Sequence, residues 1–314
     1  MNTATRLGAY ALGLAVVFGG ALGAGRAVGP AAPPPPKAAD HSAMAAGKQE
    51  EAAHGHDATQ QTKSDTPGGL QVSDNGYTLN PLTTVKAGKP ADFRFTVTGP
   101  DGRPVTDYQV EHEKKMHFIV VSRDLASFQH VHPEMSADGT WEVKLTLPDA
   151  GSYRAFADFA PAGGDGMTLG ADLPVSGDYD PQPLPKAVRT SKVGDYTVSL
   201  TGDLVPGRSS KLTLSVSKDG EPVTDLQPYL GAYGHLVALR AGDLAYLHVH
   251  PEESDKAGPE ITFYAEVPSG GDYRLFLDFQ HDGKVRTADF TAAAGEGQPR
   301  PTAAPEPAHG DHTH

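Results

Sequence analysis

Between residues 70 and 292 apolar and polar side chains alternate in short runs. In Phe93-Arg-Phe-Thr-Val97, Trp141-Glu-Val-Lys-Leu-Thr-Leu147 and Tyr196-Thr-Val-Ser-Leu200 every second residue is apolar. A period of two turns one row of side chains inward and the other to water, so these runs predict half-buried strands. Clusters of Gly, Pro and Asp interrupt them at short intervals, and no helical period appears after residue 30. His117-Phe-Ile-Val-Val121 and His235-Leu-Val-Ala-Leu239 differ in being continuously apolar after their first residue.

The strand pattern occurs twice. Asp101-Gly-Arg-Pro-Val-Thr-Asp107 matches Asp219-Gly-Glu-Pro-Val-Thr-Asp225, and the offset of 118 residues continues without a gap to Glu134 and Glu252, with 13 of 34 pairs identical. After a shift of two residues, Gly151-Ser-Tyr-Arg-Ala-Phe-Ala-Asp-Phe159 matches Gly271-Asp-Tyr-Arg-Leu-Phe-Leu-Asp-Phe279. An internal duplication of copies this size, all strand and turn, predicts an all-β chain of two tandem immunoglobulin-like β-sandwiches, 70–178 and 187–292. The Pro-rich stretch 179–186 is expected to be a stiff linker between two separate units.

The ends read differently. Residues 1–29 hold an uncharged stretch from Leu7 to Gly25 between Arg6 and Arg26, which predicts a hydrophobic helix serving as a signal peptide or as a single-pass membrane anchor. Residues 30–69 begin with Pro30-Ala-Ala-Pro-Pro-Pro-Pro36 and stay polar, and 293–314 are rich in Ala, Pro, Gly and Glu. Neither segment holds enough apolar surface to offset its ordering entropy, so both are expected to be disordered. Export places the folded part outside the cytoplasm.

Composition narrows the chemistry. With 26 Lys+Arg against 39 Asp+Glu the formal charge is −13, which supplies no general basic field for nucleic acid. Zero cysteines exclude disulfides, thiolate metal ligands and a cysteine nucleophile. No Gly-x-Ser-x-Gly elbow occurs, and the His-x-His-Pro-Glu spacing does not fit the cupin motif, so the chain is not expected to be an enzyme.

Histidine carries the remaining signal. His117, His130 and His132 of the first copy fall on His235, His248 and His250 of the second, while neighbouring residues change freely. On an extended backbone the two histidines of His-Val-His face the same way, roughly 6.5 to 7 Å apart along the strand. Three neutral imidazoles form a common ligand set for copper or zinc, which predicts a metal-binding triad on each sandwich. Asp158 and Asp278 are candidates to orient an imidazole, and His281 and Met116 are candidates for extra ligands. His112, with Leu230 in its place in the second copy, has no partner in the repeat. His41, His54, His56, His309, His312 and His314 make both tails candidate collectors of metal. Reference imidazole acidity predicts that affinity for the ion fades below about pH 6. The rival interpretation is a non-metal immunoglobulin-like adhesion or interaction module in which the histidines are incidental; no protein partner is named by the sequence.

The strings Glu113-Lys-Lys-Met-His-Phe-Ile-Val-Val-Ser-Arg-Asp-Leu125, Phe128-Gln-His-Val-His-Pro133, Tyr229-Leu-Gly-Ala-Tyr-Gly-His-Leu-Val-Ala-Leu-Arg240 and Leu247-His-Val-His-Pro251 resemble a family of exported, often membrane-anchored actinobacterial proteins described as secreted or heavy-metal-binding. The resemblance spans about residues 70 to 292. It implies an extracytoplasmic location and, through more distant similarity to CopC-like and YtkA-like β-sandwiches, copper handling. The amino-terminal His-rich and Met-rich copper motifs of CopC proper are absent from this sequence.

Overall fold

A computed structural model describes residues 66–295, apart from His248, Glu253 and the side chain of His250. The predicted leader helix, most of the polar linker and nearly all of the carboxy-terminal tail lie outside the described residues. Among the described residues no helix is long and apolar enough to cross a membrane. Every regular element among the described residues is a strand. The first repeat forms β1 (Ser73–Asp74), β2 (Tyr77–Pro81), β3 (Pro90–Thr98), β4 (His117–Ser122), β5 (Phe128–Val131), β6 (Glu134–Met135), β7 (Thr140–Thr146), β8 (Gly151–Phe159) and β9 (Met167–Val175). The second forms β10 (Thr190–Val193), β11 (Tyr196–Thr201), β12 (Ser209–Lys218), β13 (Glu221–Pro222), β14 (Gly234–Arg240), β15 (Tyr246–Leu247), β16 (Val249–Pro251), β17 (Glu260–Glu266), β18 (Gly271–His281) and β19 (Lys284–Ala294).

Each repeat is a sandwich of two antiparallel sheets. In the first, β1-β2-β3-β7-β6 faces β5-β4-β8-β9; in the second, β10-β11-β12-β17-β16, with β13 beside β12, faces β15-β14-β18-β19. The alternating rows supply the cores: Phe93, Phe95 and Val97 meet Phe118, Val120 and Trp141 in one, and Val198, Leu200, Leu212 and Leu214 meet Leu236, Ala238, Leu275 and Leu277 in the other. The proline linker is tied down as well, since Gln182 N–H donates to Asp124 at 2.8 Å and Leu184 packs on apolar residues of both repeats.

The sandwiches are not separate units, because a third apolar cluster joins them. Every residue of β4 is buried. Phe118 and Val120 point into their own sandwich, whereas Ile119 and Val121 point out and pack with Leu125 and Phe156 against Val237, Leu239, Leu244 and Phe276 of the other repeat. A strand covered on both faces reads as a continuous apolar run, which is what Phe118 to Val121 and Leu236 to Leu239 show. The rings of Phe128 and Phe276 stack at 4.1 Å with 5° between their planes. Such a pair adds about 0.5 to 1.5 kcal/mol beyond its buried area.

A strand-like strap from the linker crosses this seam. Gly68 bridges Tyr246 of the second repeat, and Arg154 donates to the carbonyls of Gly69 and Leu70 at 2.8 and 2.9 Å. Gly170 permits the strap to approach, since a Cβ there would stand 2.0 Å from the Gly69 carbonyl oxygen.

Candidate metal centre

The residues that turn outward from β4, β8, β14 and β18 are apolar in the middle of the seam and polar at one end. His117 on β4 pairs with Asp158 on β8, and His235 on β14 pairs with Asp278 on β18. His130 comes from β5, opposite Ile119, and so shares the outward face. His132 lies just past β5, whose pairing ends at Val131 ahead of Pro133. Release from the strand draws the two imidazoles to a centroid separation of 4.8 Å, closer than a continuous strand would hold them.

His117, His130 and His132 each offer a nitrogen, and these atoms lie within 4.8 Å of one another. Hydrogen bonds fix which nitrogens are offered. His117 Nε2–H donates to the Glu111 carbonyl at 3.2 Å, so its Nδ1 carries the lone pair. His130 Nδ1–H donates to Asp278 Oδ2 at 2.8 Å, so its lone pair is on Nε2. Those two nitrogens face each other at 3.1 Å. Two acceptors cannot bond directly; either an extra proton or a cation must lie between them. Nitrogens bound to one tetrahedral ion at about 2.0 to 2.1 Å stand roughly 3.3 Å apart, close to the separation seen. His132 Nε2 is buried and has no hydrogen-bond partner among the described residues.

Asp278 belongs to the other repeat, so the carboxylate that orients His130 crosses the seam. The side chains of the pair are 4 and 6 % exposed. Thr287 donates to the other oxygen of Asp278, and Thr168 does the same for Asp158 at 2.7 Å. Burial is the main cause that raises the Asp158 carboxyl to about 6.

The second triad is not assembled among the described residues. In the first repeat β5 stays with β4 through Val131, but β15 leaves β14 after Leu247. Val249 and His250 then pair with Ala265 and Tyr264 of β17, in the opposite sheet. His248 and the side chain of His250 lie outside the described residues. His235 instead sits near the first triad, 6.3 Å from His117 between centroids, with its Nε2–H on the Tyr229 carbonyl at 2.9 Å.

The other candidates separate. Met116 is 1 % exposed inside the first sandwich core, so it is core filling, not a thioether ligand. His281 is bonded to Tyr196 Oη at 2.8 Å and Asp225 at 3.1 Å, and those contacts place it with the second sandwich. His112 is brought in against the sequence expectation: its ring stands 5.4 Å from His235 and 6.1 Å from His117. Comparing the copies in line could not find it, because its neighbour across the seam belongs to the other copy.

Burial is the leading cause that lowers His117 to about 4, His132 to about 3 and His235 to about 4. Loss of affinity below about pH 6 is therefore not expected to come from protonation of His117 or His132 in the folded chain. Protonation acts on stability instead. Below pH 6.5 the unfolded chain takes up protons that these imidazoles refuse when folded, so their contribution is complete above 6.5 and declines as pH falls towards 4. Each imidazole sets a slope of at most about 1.4 kcal/mol per pH unit, less where solvent reaches it. Asp158 opposes them, since its raised pKa adds stability as pH falls from about 6 to its ordinary 3.8. Urea unfolding is expected to show lower stability at pH 5 than at pH 7, with the difference reduced in His132→Ala; equal values at both pH values would contradict the assignment.

A family model described as Domain of unknown function (DUF8832) matches residues 71–176 and again 191–296. The chain belongs to this family. The DUF8832 matches cover one sandwich each, and the family is one of all-β repeats without a described activity. They carry no signal specific to actinobacterial, CopC-like or YtkA-like proteins. No curated protein matches the sequence. Solved structures similar to this DUF8832 chain include the Escherichia coli adhesin FdeC, at 14% identity with TM-score 0.25, covering 71% of this chain and 65% of that one. Yersinia pseudotuberculosis InvD gives 14% and 0.24 over 73% and 62%, and invasin, a bacterial integrin-binding protein, 13% and 0.21 over 69% and 39%. The chain spans about two thirds or less of these structures. Scores of this size assign nothing to the DUF8832 chain, whose architecture rests on its own strand pairing.

Proposed function

We propose that this protein is a non-enzymatic metal-binding protein of the cell envelope, taking copper first and zinc second on His117, His130 and His132. The observation that carries this reading is the pair of lone-pair nitrogens 3.1 Å apart, each fixed by a bond to an acceptor on its far side. A cation resolves that conflict, and the buried Nε2 of His132 supplies a third donor. An all-imidazole set suits Cu²⁺ and Zn²⁺, with Cu²⁺ ahead in intrinsic affinity. The leader 1–29 would carry the chain across the membrane, cleaved or retained as an anchor, and the tail histidines would gather ions for the folded part.

The second reading treats the chain as an adhesion or interaction module without metal. Its support is the His130 to Asp278 bond, which links the repeats by itself if a proton occupies the place given above to the cation. Calorimetric titration decides between them, using the full chain with His41, His54, His56, His309, His312 and His314 replaced by alanine. The metal reading expects stoichiometric binding of Cu²⁺ and Zn²⁺ at pH 7 that survives removal of the tail histidines. Binding that disappears with those six residues would leave the interaction module.

A further inference from the structure

His112, His117 and His235 extend the line of imidazoles away from His130 and His132. Within the triad, ring centroids stand 5.4, 5.0 and 4.8 Å apart. Imidazoles sharing one tetrahedral ion have centroids about 5 Å apart, given metal-to-nitrogen distances of about 2.0 to 2.1 Å. His112 and His235 meet that spacing at 5.4 Å, whereas each lies beyond 6 Å from His117. His117 is also committed, with Nε2 on the Glu111 carbonyl and Nδ1 facing His130. His235 has Nε2 on the Tyr229 carbonyl and keeps Nδ1 for a ligand.

We infer that a second cation position lies between His112 of the first repeat and His235 of the second, beside the triad and distinct from it. It rests on the metal reading of the triad and extends it to a two-ion centre shared by the sandwiches. A cavity of about 780 Å³ at this place is lined by His112, His117, His130, His235 and the carboxylates Asp158 and Glu111. Two imidazoles in a cavity that carboxylates also line are the nitrogen donors of a mixed nitrogen and oxygen ligand set for a Cu²⁺ or Zn²⁺ ion. The repeat places Leu230 where the first copy has His112. His112 occupies a left-handed turn residue with φ 49°, and Leu230 holds the same turn with φ 55° in the second repeat. The backbone conformation is thus common to both copies, and the imidazole is the feature added in one.

The test uses the full chain lacking the six tail histidines, titrated with Cu²⁺ and followed by calorimetry and electron paramagnetic resonance. Expected is a spin-coupled spectrum at full loading, from two ions in neighbouring positions. His112→Ala should remove one equivalent and the coupling while leaving the other ion at parental affinity. His112 is exposed, so the variant disturbs little packing. The double variant His130→Ala with His132→Ala should remove the other equivalent. Unchanged stoichiometry in both His112→Ala and His235→Ala would refute the second position and leave the triad standing. A parent that binds a single ion more weakly after His112→Ala would also refute it, by making His112 a ligand of that ion. A parent that binds no Cu²⁺ would overturn both readings.

Discussion

Replacing His130 with alanine is expected to weaken binding of Cu²⁺ or Zn²⁺ by more than about 100-fold, because it deletes a direct ligand where loss of an orienting partner alone costs about 10 to 100-fold. Asp278→Asn is the companion variant and should fall within that lower range. Asp278 holds the Nδ1–H of His130 at 2.8 Å, which fixes Nε2 as the donor. The carboxamide can still accept from Nδ1 but contributes no charge and no longer strengthens the imidazole as a ligand. The two variants together separate ligation from orientation. Equal affinities for parent, His130→Ala and Asp278→Asn, measured in the background without tail histidines, would remove His130 from the site.

Phe276→Ala is expected to cost about 3 to 5 kcal/mol of stability, the usual range for truncating a buried aromatic. Phe276 is 3 % exposed and lies at the seam, stacked on Phe128 and packed with residues of both repeats. The loss should therefore appear in unfolding of both sandwiches, measured by urea denaturation with Trp141 reporting the first and amide exchange reporting the second. A change confined to the second repeat would mean that the seam does not couple them. Because His130 is held by Asp278 of the other repeat, the same variant should also weaken the ion site without touching a ligand.

Much of this architecture is legible in the sequence, and the gaps have physical causes. Period-two runs such as Phe93 to Val97 and Tyr196 to Leu200 became strands β3 and β11, since one buried face is enough to specify them. The duplication was visible because the same turn residues recur at a fixed offset. One slip hides in it: Asp124-Leu-Ala126 and Asp243-Leu-Ala245 make the same turn, with Asp Oδ1 accepting from the Ala N–H, at an offset of 119 residues. The His117, His130 and His132 grouping was read from their shared places in the two copies, although His132 lies past the end of β5 and not on the extended strand assumed for it.

Contacts across the seam were not legible. The apolar run Phe118 to Val121 announces a strand buried on both faces but does not say what covers the second face. The His112 to His235 and His130 to Asp278 contacts form only where the repeats meet, and a comparison of the copies in line treats these residues as independent. The second set of histidines lies largely outside the described residues, but its backbone takes a different path. Val249 to Pro251 pair with β17, so a sequence identical to Val131 to Pro133 follows a different sheet. Met116 and His281 show the converse, since residue types able to bind metal are engaged in packing and in an internal hydrogen-bond network.

The central claim is that His117, His130 and His132 bind one ion together. X-ray absorption of the zinc-loaded full chain, in the background without tail histidines, tests it most directly. With His112→Ala added to that background, zinc at one equivalent should show a first shell at about 2.0 to 2.1 Å with the outer-shell scattering of three imidazoles, and the His130→Ala, His132→Ala double variant should lose that signal. An oxygen-only shell, or an imidazole signal unchanged by that double substitution, would contradict it.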